Sequence, residues 1–251
     1  MPDFKLEAYS SLAWTEEFLA PPQEYSREAH LLCQAVFDHI SYRPETMLHL
    51  GCGAGGHDTV FKTYFRVTGV DLSPEMLRLA RKKHPELTYI KGDMRTVFLS
   101  QRYDIVAIPD SIGYMTTVSD LQKAVENAAA HLEDDGLILV MALTAEDFRE
   151  NNFVYTGENE GLRVTLFENN ARPYPDSATY EAALVYLIRR GEELEVYPEC
   201  HKLGLFSEDT WYEVFDRAGL NVSSIPMDDL YDIYLMEEGS YRQQLFLCSR
   251  R

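Results

Sequence analysis

The sequence predicts an α/β protein: a parallel sheet covered by helices on both faces, followed by an inserted antiparallel β meander. Three observations predict it. Five short apolar runs, at 46–50, 65–71, 87–93, 103–109 and 137–143, alternate with helical patterns. Near-continuous apolar strands of this kind belong to sheets buried on both sides. A glycine-rich turn, LHLGCGAGGHD (48–58), joins the first run to a helix and holds four of the chain's 14 glycines. Beyond residue 150 the helical patterns stop, and β-rich runs at 162–169, 178–190 and 193–206 follow one another directly.

Each element has its own signal. Residues 24–41 place Ala29, Leu32, Cys33, Val36, Phe37 and Ile40 on one helical face, and Tyr42-Arg43-Pro44 ends that helix. TMLHL (46–50) runs into the glycines, and His57 to Phe65 reads as helix. FRVTGVD (65–71) is a strand; Ser73 caps the next helix with Pro74 at its first position. LTYIKGD and YDIVAIP are the third and fourth strands, followed by a helix over 119–132. The turn Glu133-Asp134-Asp135-Gly136 then leads into LILVMAL (137–143). The meander spans 151–206, with a hairpin turn at Arg190-Gly191-Glu192. Ser207 caps a last helix that stops at Gly219, strands follow at 220–227 and 240–250, and the acidic run 228–238 is a loop or lid. The expected organisation is 1–150 as N-terminal helices plus a ligand-binding core, 151–206 as the inserted sheet, and 207–251 as the return to the core.

Bulk composition excludes several classes. The 251 residues are 45% apolar with a net charge of −18, which supports a core and opposes binding to nucleic-acid phosphates or an anionic membrane surface. Cys33, Cys52, Cys200 and Cys248 have neither zinc-ligand nor disulfide-framework spacing, so they read as free thiols and no metal is expected. Met1–Lys5 lacks a leader pattern and no apolar run approaches the ~20 residues that span a bilayer, so a cytoplasmic location is expected.

Gly51-x-Gly53-x-x-Gly56, between a strand and a helix N-terminus, is a place where a nucleotide meets main chain, and Asp71 follows at the end of the second strand. Taken alone, this is equally a dinucleotide fingerprint or the loop of another nucleotide user. Further elements extend the pattern: Gly92-Asp93-Met94 after the third strand, and Asp110-Ser111-Ile112-Gly113-Tyr114 after the fourth. The ordered series LHLGCGAGGHD, VTGVDLSPEMLRLAR, YIKGDMR, YDIVAIPDSIGYM and LEDDGLILV resembles the class I S-adenosylmethionine-dependent methyltransferases over about 46–143. FSEDTWYEVFDRAGL carries the resemblance to nearly the whole chain. DSIGYM, the inserted sheet and ECHKLGLFS further resemble the small-molecule branch, including amino-sugar N-methyltransferases.

The resemblance implies a Rossmann-like sheet of seven mostly parallel strands with the last antiparallel, S-adenosylmethionine as cofactor, and methyl transfer to a small-molecule acceptor, nitrogen favoured over oxygen. It also implies roles. Gly51, Cys52 and Gly53 would lie under the methionine part, Asp71 would bind the ribose hydroxyls, and Leu72 and Met76 would flank the adenine. Asp93 and Met94 would bind its edge, Pro109 would sit near the methyl, and Tyr25, with Tyr9 as the other candidate, would close over the cofactor. The departure is His49, where the family carries an acid contacting the cofactor's amino group; restoring an acid there is expected to leave cofactor binding equal or tighter. The rival functions are a non-catalytic cofactor-binding relative and a nicotinamide-dependent oxidoreductase. Methyl transfer needs alignment and water exclusion more than acid–base chemistry. Asp110, Tyr114 and His201 are nevertheless the catalytic candidates, while His57 and Asp58 read as capping or packing. Tyr155, Tyr174, Tyr180, Tyr186 and Tyr197 would line the acceptor pocket, pack the core, or form a homodimer face through the inserted sheet.

Overall fold

The computed structural model describes residues 6–19, 22–175 and 177–251; the Met1–Lys5 stretch read above lies outside them. Along the chain come α1 (Glu16–Leu19), α2 (Pro22–His39), β1 (Thr46–Leu50), α3 (Asp58–Tyr64), β2 (Arg66–Asp71), α4 (Pro74–Lys83), β3 (Thr88–Lys91) and β4 (Tyr103–Pro109). Then follow α5 (Val118–Ala130), β5 (Leu132–Ala142), the strands β6 (Asn151–Asn159), β7 (Leu162–Ala171), β8 (Thr179–Arg190) and β9 (Glu193–Gly204), α6 (Glu208–Arg217), β10 (Leu220–Met227) and β11 (Gln243–Arg250).

Seven strands form the main sheet in the order β10-β11-β5-β4-β1-β2-β3. β1 through β5 pair in parallel, and β11 runs antiparallel to both β5 and β10. The expected class I methyltransferase sheet is therefore present. β1 is buried along its whole length: Leu48 and Leu50 pack on one face with α5 and α6, Met47 on the other with α2 and α3. Strand order reverses beside β1, which places the switch point, where ligands of such sheets bind, at the carboxyl ends of β1 and β4. Helix starts follow local chemistry: Ser73, Thr117 and Ser207 each accept the N–H of the residue three on, at 3.2, 3.1 and 3.3 Å.

One local expectation is corrected. Glu133–Asp135 is not a turn ahead of the strand, because β5 already begins at Leu132. Tyr103 pairs with Leu132 and Ile105 with Leu137, so the register shifts between them and the three acids stand exposed as a bulge. Nor does a helix separate β3 from β4.

The second sheet is a four-stranded antiparallel meander, β6-β7-β8-β9, in continuous register. Its inward positions alternate as a half-buried sheet requires: Val164 and Leu166 on β7; Leu184, Tyr186 and Ile188 on β8. They close over Ala8 and Leu12, with Trp14 and Phe18 beside them. A side chain at Gly157 would strike the Phe18 carbonyl oxygen, so glycine is what lets this N-terminal segment lie directly on β6.

Candidate active site

The glycine turn sits at the carboxyl end of β1. The amides of Gly51 and Cys52 both donate to the Val70 carbonyl, at 2.7 and 3.0 Å, which binds the turn to β2. Gly51 has φ +72°, and a Cβ there would collide with Ser111, so the loop after β4 approaches as only glycine permits. The Gly53 amide donates to Asp71 Oδ2 at 2.9 Å and the Ser73 amide to Oδ1 at 2.7 Å. These two bonds hold the Asp71 carboxylate at the rim, while burial pushes its carboxyl above the ordinary value. Leu72 beside it is exposed, whereas Met76 is buried against Ala13 and Leu79. The Cys52 thiol points into a cluster with Leu77, Ala80 and Tyr89, and burial raises it. Asp93 is gripped by Arg95 at 2.6 Å, which holds its carboxyl below the usual range; Arg95 also reaches Asp120 at 3.2 Å. Met94 packs against the core, and Pro109 is buried as the last residue of β4.

His49 is 1% exposed, with Nδ1 at 2.7 Å from Asp58 Oδ1. The Tyr89 hydroxyl donates to the other Asp58 oxygen at 2.8 Å. Burial alone would raise the Asp58 carboxyl; His49 and Tyr89 outweigh it and hold the group below its ordinary value. A carboxylate accepts at Nδ1, so that nitrogen carries the proton and Nε2, buried and without a partner among the described residues, is left as the open position. A second buried pair stands beside it. His57 Nε2 lies 2.8 Å from Glu28 Oε1, and the Tyr231 hydroxyl donates to Glu28 Oε2 at 2.7 Å. Burial opposes both charges, but their attraction prevails: His57 is raised and Glu28 lowered. The His57 ring meets the edges of His49 and Tyr25, at centroid distances of 5.8 and 4.8 Å. His57 and Asp58 therefore support His49, and neither side chain caps α3.

The opposite wall begins at Asp110, where β4 ends with φ +62°, unusual for a residue with a side chain. Asp110 is open to the cleft yet ringed by protein groups; that enclosure, and then the Glu28 charge, raise its carboxyl. Its Oδ1 accepts from Gln243 Nε2 at 2.9 Å. Tyr114 and His201 are brought together: the Tyr114 hydroxyl lies 2.7 Å from His201 Nδ1 and shares a 2.6 Å hydrogen bond with the Tyr9 hydroxyl. His201 Nε2 lies 3.2 Å from Glu199, whose carboxylate also accepts the amides of Glu7 and Ala8, at 2.7 and 2.9 Å. Tyr9 is thus the tyrosine joined to the catalytic candidates, and Tyr25 lies across the cleft against His57 and Gly56. Sequence reading missed Glu28 and Glu168. Glu168 had a signal, since it falls in phase with Val164 and Leu166 on the inward face of β7.

This geometry fits S-adenosylmethionine. It offers a glycine turn with open space above Gly53, a fixed carboxylate at the second strand's end, and an orphaned imidazole nitrogen between them. Residues 47–136 match the methyltransferase domain family model. The chain is 29% identical over 209 residues to the dTDP-3-amino-3,6-dideoxy-alpha-D-glucopyranose N,N-dimethyltransferase of Streptomyces fradiae, covering 81% of this chain and 80% of that one. It is 28% identical to the dTDP-3-amino-3,4,6-trideoxy-alpha-D-glucopyranose N,N-dimethyltransferase of Streptomyces venezuelae, covering 82% and 87%. The fold matches the solved structure of Streptomyces venezuelae DesVI with a TM-score of 0.79 at 23% identity, over 98% of both chains. The sugar N-methyltransferase KedS8 from Streptoalloteichus also gives 0.79, at 21% identity, over 96% of this chain and 92% of that one. Residues 47–136 therefore form a methyltransferase domain on the class I sheet, and S-adenosylmethionine is its cofactor.

Proposed function

We propose that this enzyme methylates the nitrogen of a small amino-sugar-like molecule held between the main sheet and the meander. The observation that carries the reading is an unbroken run of contacts. Asp71 accepts from Gly53 of the glycine turn and from Ser73, the Ser73 hydroxyl donates to the Tyr9 carbonyl, and the Tyr9 hydroxyl joins Tyr114 and, through it, His201. S-adenosylmethionine, when bound, supplies a methyl already activated by its sulfonium.

The chain's own residues do the rest. Asp71 takes the ribose hydroxyls, with Leu72 beside the adenine. Gly51 and Gly53 let the methionine part approach main chain, and His49 Nε2 accepts from the amino group. The Asp58 charge behind the imidazole replaces the acid that His49 displaces. Asp93 and Met94 close the adenine edge, although Arg95 must share Asp93. Met76 supports the adenine wall from below, its side chain being packed against Ala13 and Leu79. Pro109 and Asp110 border the methyl, and Tyr9 and Tyr25 stand on either side. Tyr114 and His201 orient the acceptor: with Glu199 on one side and Tyr114 on the other, His201 is fixed in place, which suits alignment.

Calorimetric titration with S-adenosylhomocysteine and with NADH, followed by product release on amine and hydroxyl panels, tests the reading. Tight S-adenosylhomocysteine binding with amine turnover is the expected result. Binding of NADH alone, or turnover of hydroxyls alone, overturns it.

A further inference from the structure

Two carboxylates, Asp110 at the end of β4 and Glu168 on the inward face of β7, come from different sheets and are held alike. Asp110 Oδ1 accepts from Gln243 Nε2 at 2.9 Å, and Glu168 Oε1 accepts from Asn170 Nδ2 at 2.7 Å. Both amides are buried, 2% and 4% exposed, and the carbonyl oxygen of each has no donor. Among the described residues, the second oxygen of each carboxylate also accepts no hydrogen bond. Glu168 stands in a cross-strand row with Phe153, Leu184 and Glu199. Aromatic rings border it: Phe153 meets Tyr155 at 6.0 Å and Tyr241 at 5.2 Å, and Tyr155 meets Tyr234 at 4.7 Å.

The charges that act here are mostly negative. Those acting on Asp110 come from Glu28 and His57, and the one acting on Glu168 comes from Asp110; among the described residues no lysine or arginine contributes to either. The other titratable groups around Glu168 are Tyr180 and Tyr186 on β8, Tyr241, and Glu199 and His201 on β9. Burial first, and Asp110 second, push the Glu168 carboxyl up to about 7. Two carboxylates and two orphaned carbonyl oxygens make a set of acceptors that no described cationic side chain balances. Such a set, bordered by aromatic faces, satisfies a cation with several N–H groups and repels phosphate.

We propose that Asp110 and Glu168 clamp the acceptor as its ammonium ion, that Glu168 takes its proton, and that the acceptor is accordingly a small amine bearing no diphosphate. This rests on the nitrogen-acceptor reading above, and it sets the chain apart from relatives named for dTDP-linked sugars. The step balances. The N–H bond breaks and its proton passes to Glu168. The freed lone pair forms the C–N bond as the C–S bond breaks, with that electron pair going to sulfur. The nitrogen becomes cationic, S-adenosylhomocysteine leaves neutral, and Glu168 returns its proton to water.

The test uses the full chain and S-adenosylmethionine, with 3-amino-3,6-dideoxyglucose as the free sugar, its dTDP form, and the matching hydroxyl sugar as probes. The free amino sugar should exceed its dTDP form by about tenfold or more in kcat/KM, since like charges repel across such a site. Glu168→Gln should lower kcat/KM by about 100-fold and move the acid limb of its pH profile upward to the amine's own titration, with S-adenosylhomocysteine affinity kept within about twofold. Asp110→Asn should raise KM more than it lowers kcat. Equal or faster turnover of the dTDP form, an unchanged pH limb in Glu168→Gln, or no turnover of the free amine overturns the clamp. Turnover of the hydroxyl sugar alone overturns the nitrogen reading as well, and failure of S-adenosylhomocysteine to bind overturns the cofactor site.

Discussion

Replacing Asp58 with Asn tests whether a buried carboxylate carries His49. The Asp58 side chain is wholly buried and accepts from His49 at 2.7 Å and from Tyr89 at 2.8 Å. An amide keeps the shape but has one acceptor oxygen, so one of the two donors then faces an N–H. Tyr89 adapts by rotating its hydroxyl; the imidazole cannot. Hydrogen bonds to a charged group contribute about 1.5–3 kcal/mol each, so losing one and weakening the other costs about 2–3 kcal/mol. For a domain of this size that lowers the unfolding midpoint by about 4–12 °C. The pH dependence has a definite sign. The folded-state carboxyl lies below its ordinary 3.8, so its contribution is present above that value and fades as pH falls through the folded value. Thermal unfolding followed by circular dichroism should therefore show a constant gap between wild type and variant from about pH 7 to pH 5, closing in strong acid. A shift of less than about 1 °C at neutral pH, or a gap that widens in acid, would refute the role given to Asp58.

Other expectations follow from neighbouring contacts. His49→Asp sets a second carboxylate against Asp58, so the structure reverses the sequence-based expectation: the single variant should bind S-adenosylhomocysteine about tenfold or more weakly by calorimetry, and adding Asp58→Asn should recover most of the loss. Glu28→Gln should flatten stability on the alkaline side. His57, raised above 6.5 by Glu28, contributes stability that is full below 6.5 and fades as pH rises through its folded value, which unfolding midpoints across that range will reveal. Gly157→Ala should cost about 1–3 kcal/mol and speed amide exchange over residues 6–19, because its methyl displaces the Phe18 carbonyl. Tyr114→Phe should lower kcat about tenfold with unchanged S-adenosylhomocysteine affinity, since it leaves His201 Nδ1 without a partner.

Much of the fold was legible because the main sheet writes itself in a local code: apolar runs of strand length, helix caps, glycines at one turn. The N-terminal segment was not. Its helical pieces, Glu7–Tyr9, Ala13–Thr15 and Glu16–Leu19, are too short to show a period and are fixed by packing against the meander. Strand β6, NNFVYTGEN, is mostly polar and becomes a strand by pairing with β7. At the site, the glycines, Asp71 and Asp110 stood out because their backbone positions demand those residue types. The partnerships did not: Asp58 reaches His49 around the glycine turn, and Glu28 reaches His57 from another helix. A hydrogen bond between distant segments leaves no spacing to read.

The grip of Glu199 on the amides of Glu7 and Ala8 spans 192 and 191 residues of chain. During synthesis, residues 7 to 9 emerge early, yet the amides of Glu7 and Ala8 lack this partner until the ninth strand has been made. The strap that brings Tyr9 to the site is then a late event in folding, added to a core that already stands. Tyr9 joins Tyr114 by one hydroxyl contact and is held at its carbonyl by Ser73, so the last piece to arrive touches both the cofactor side and the acceptor side. A chain arrested before residue 199 has its glycine turn but lacks the carboxylate that anchors the strap beside it.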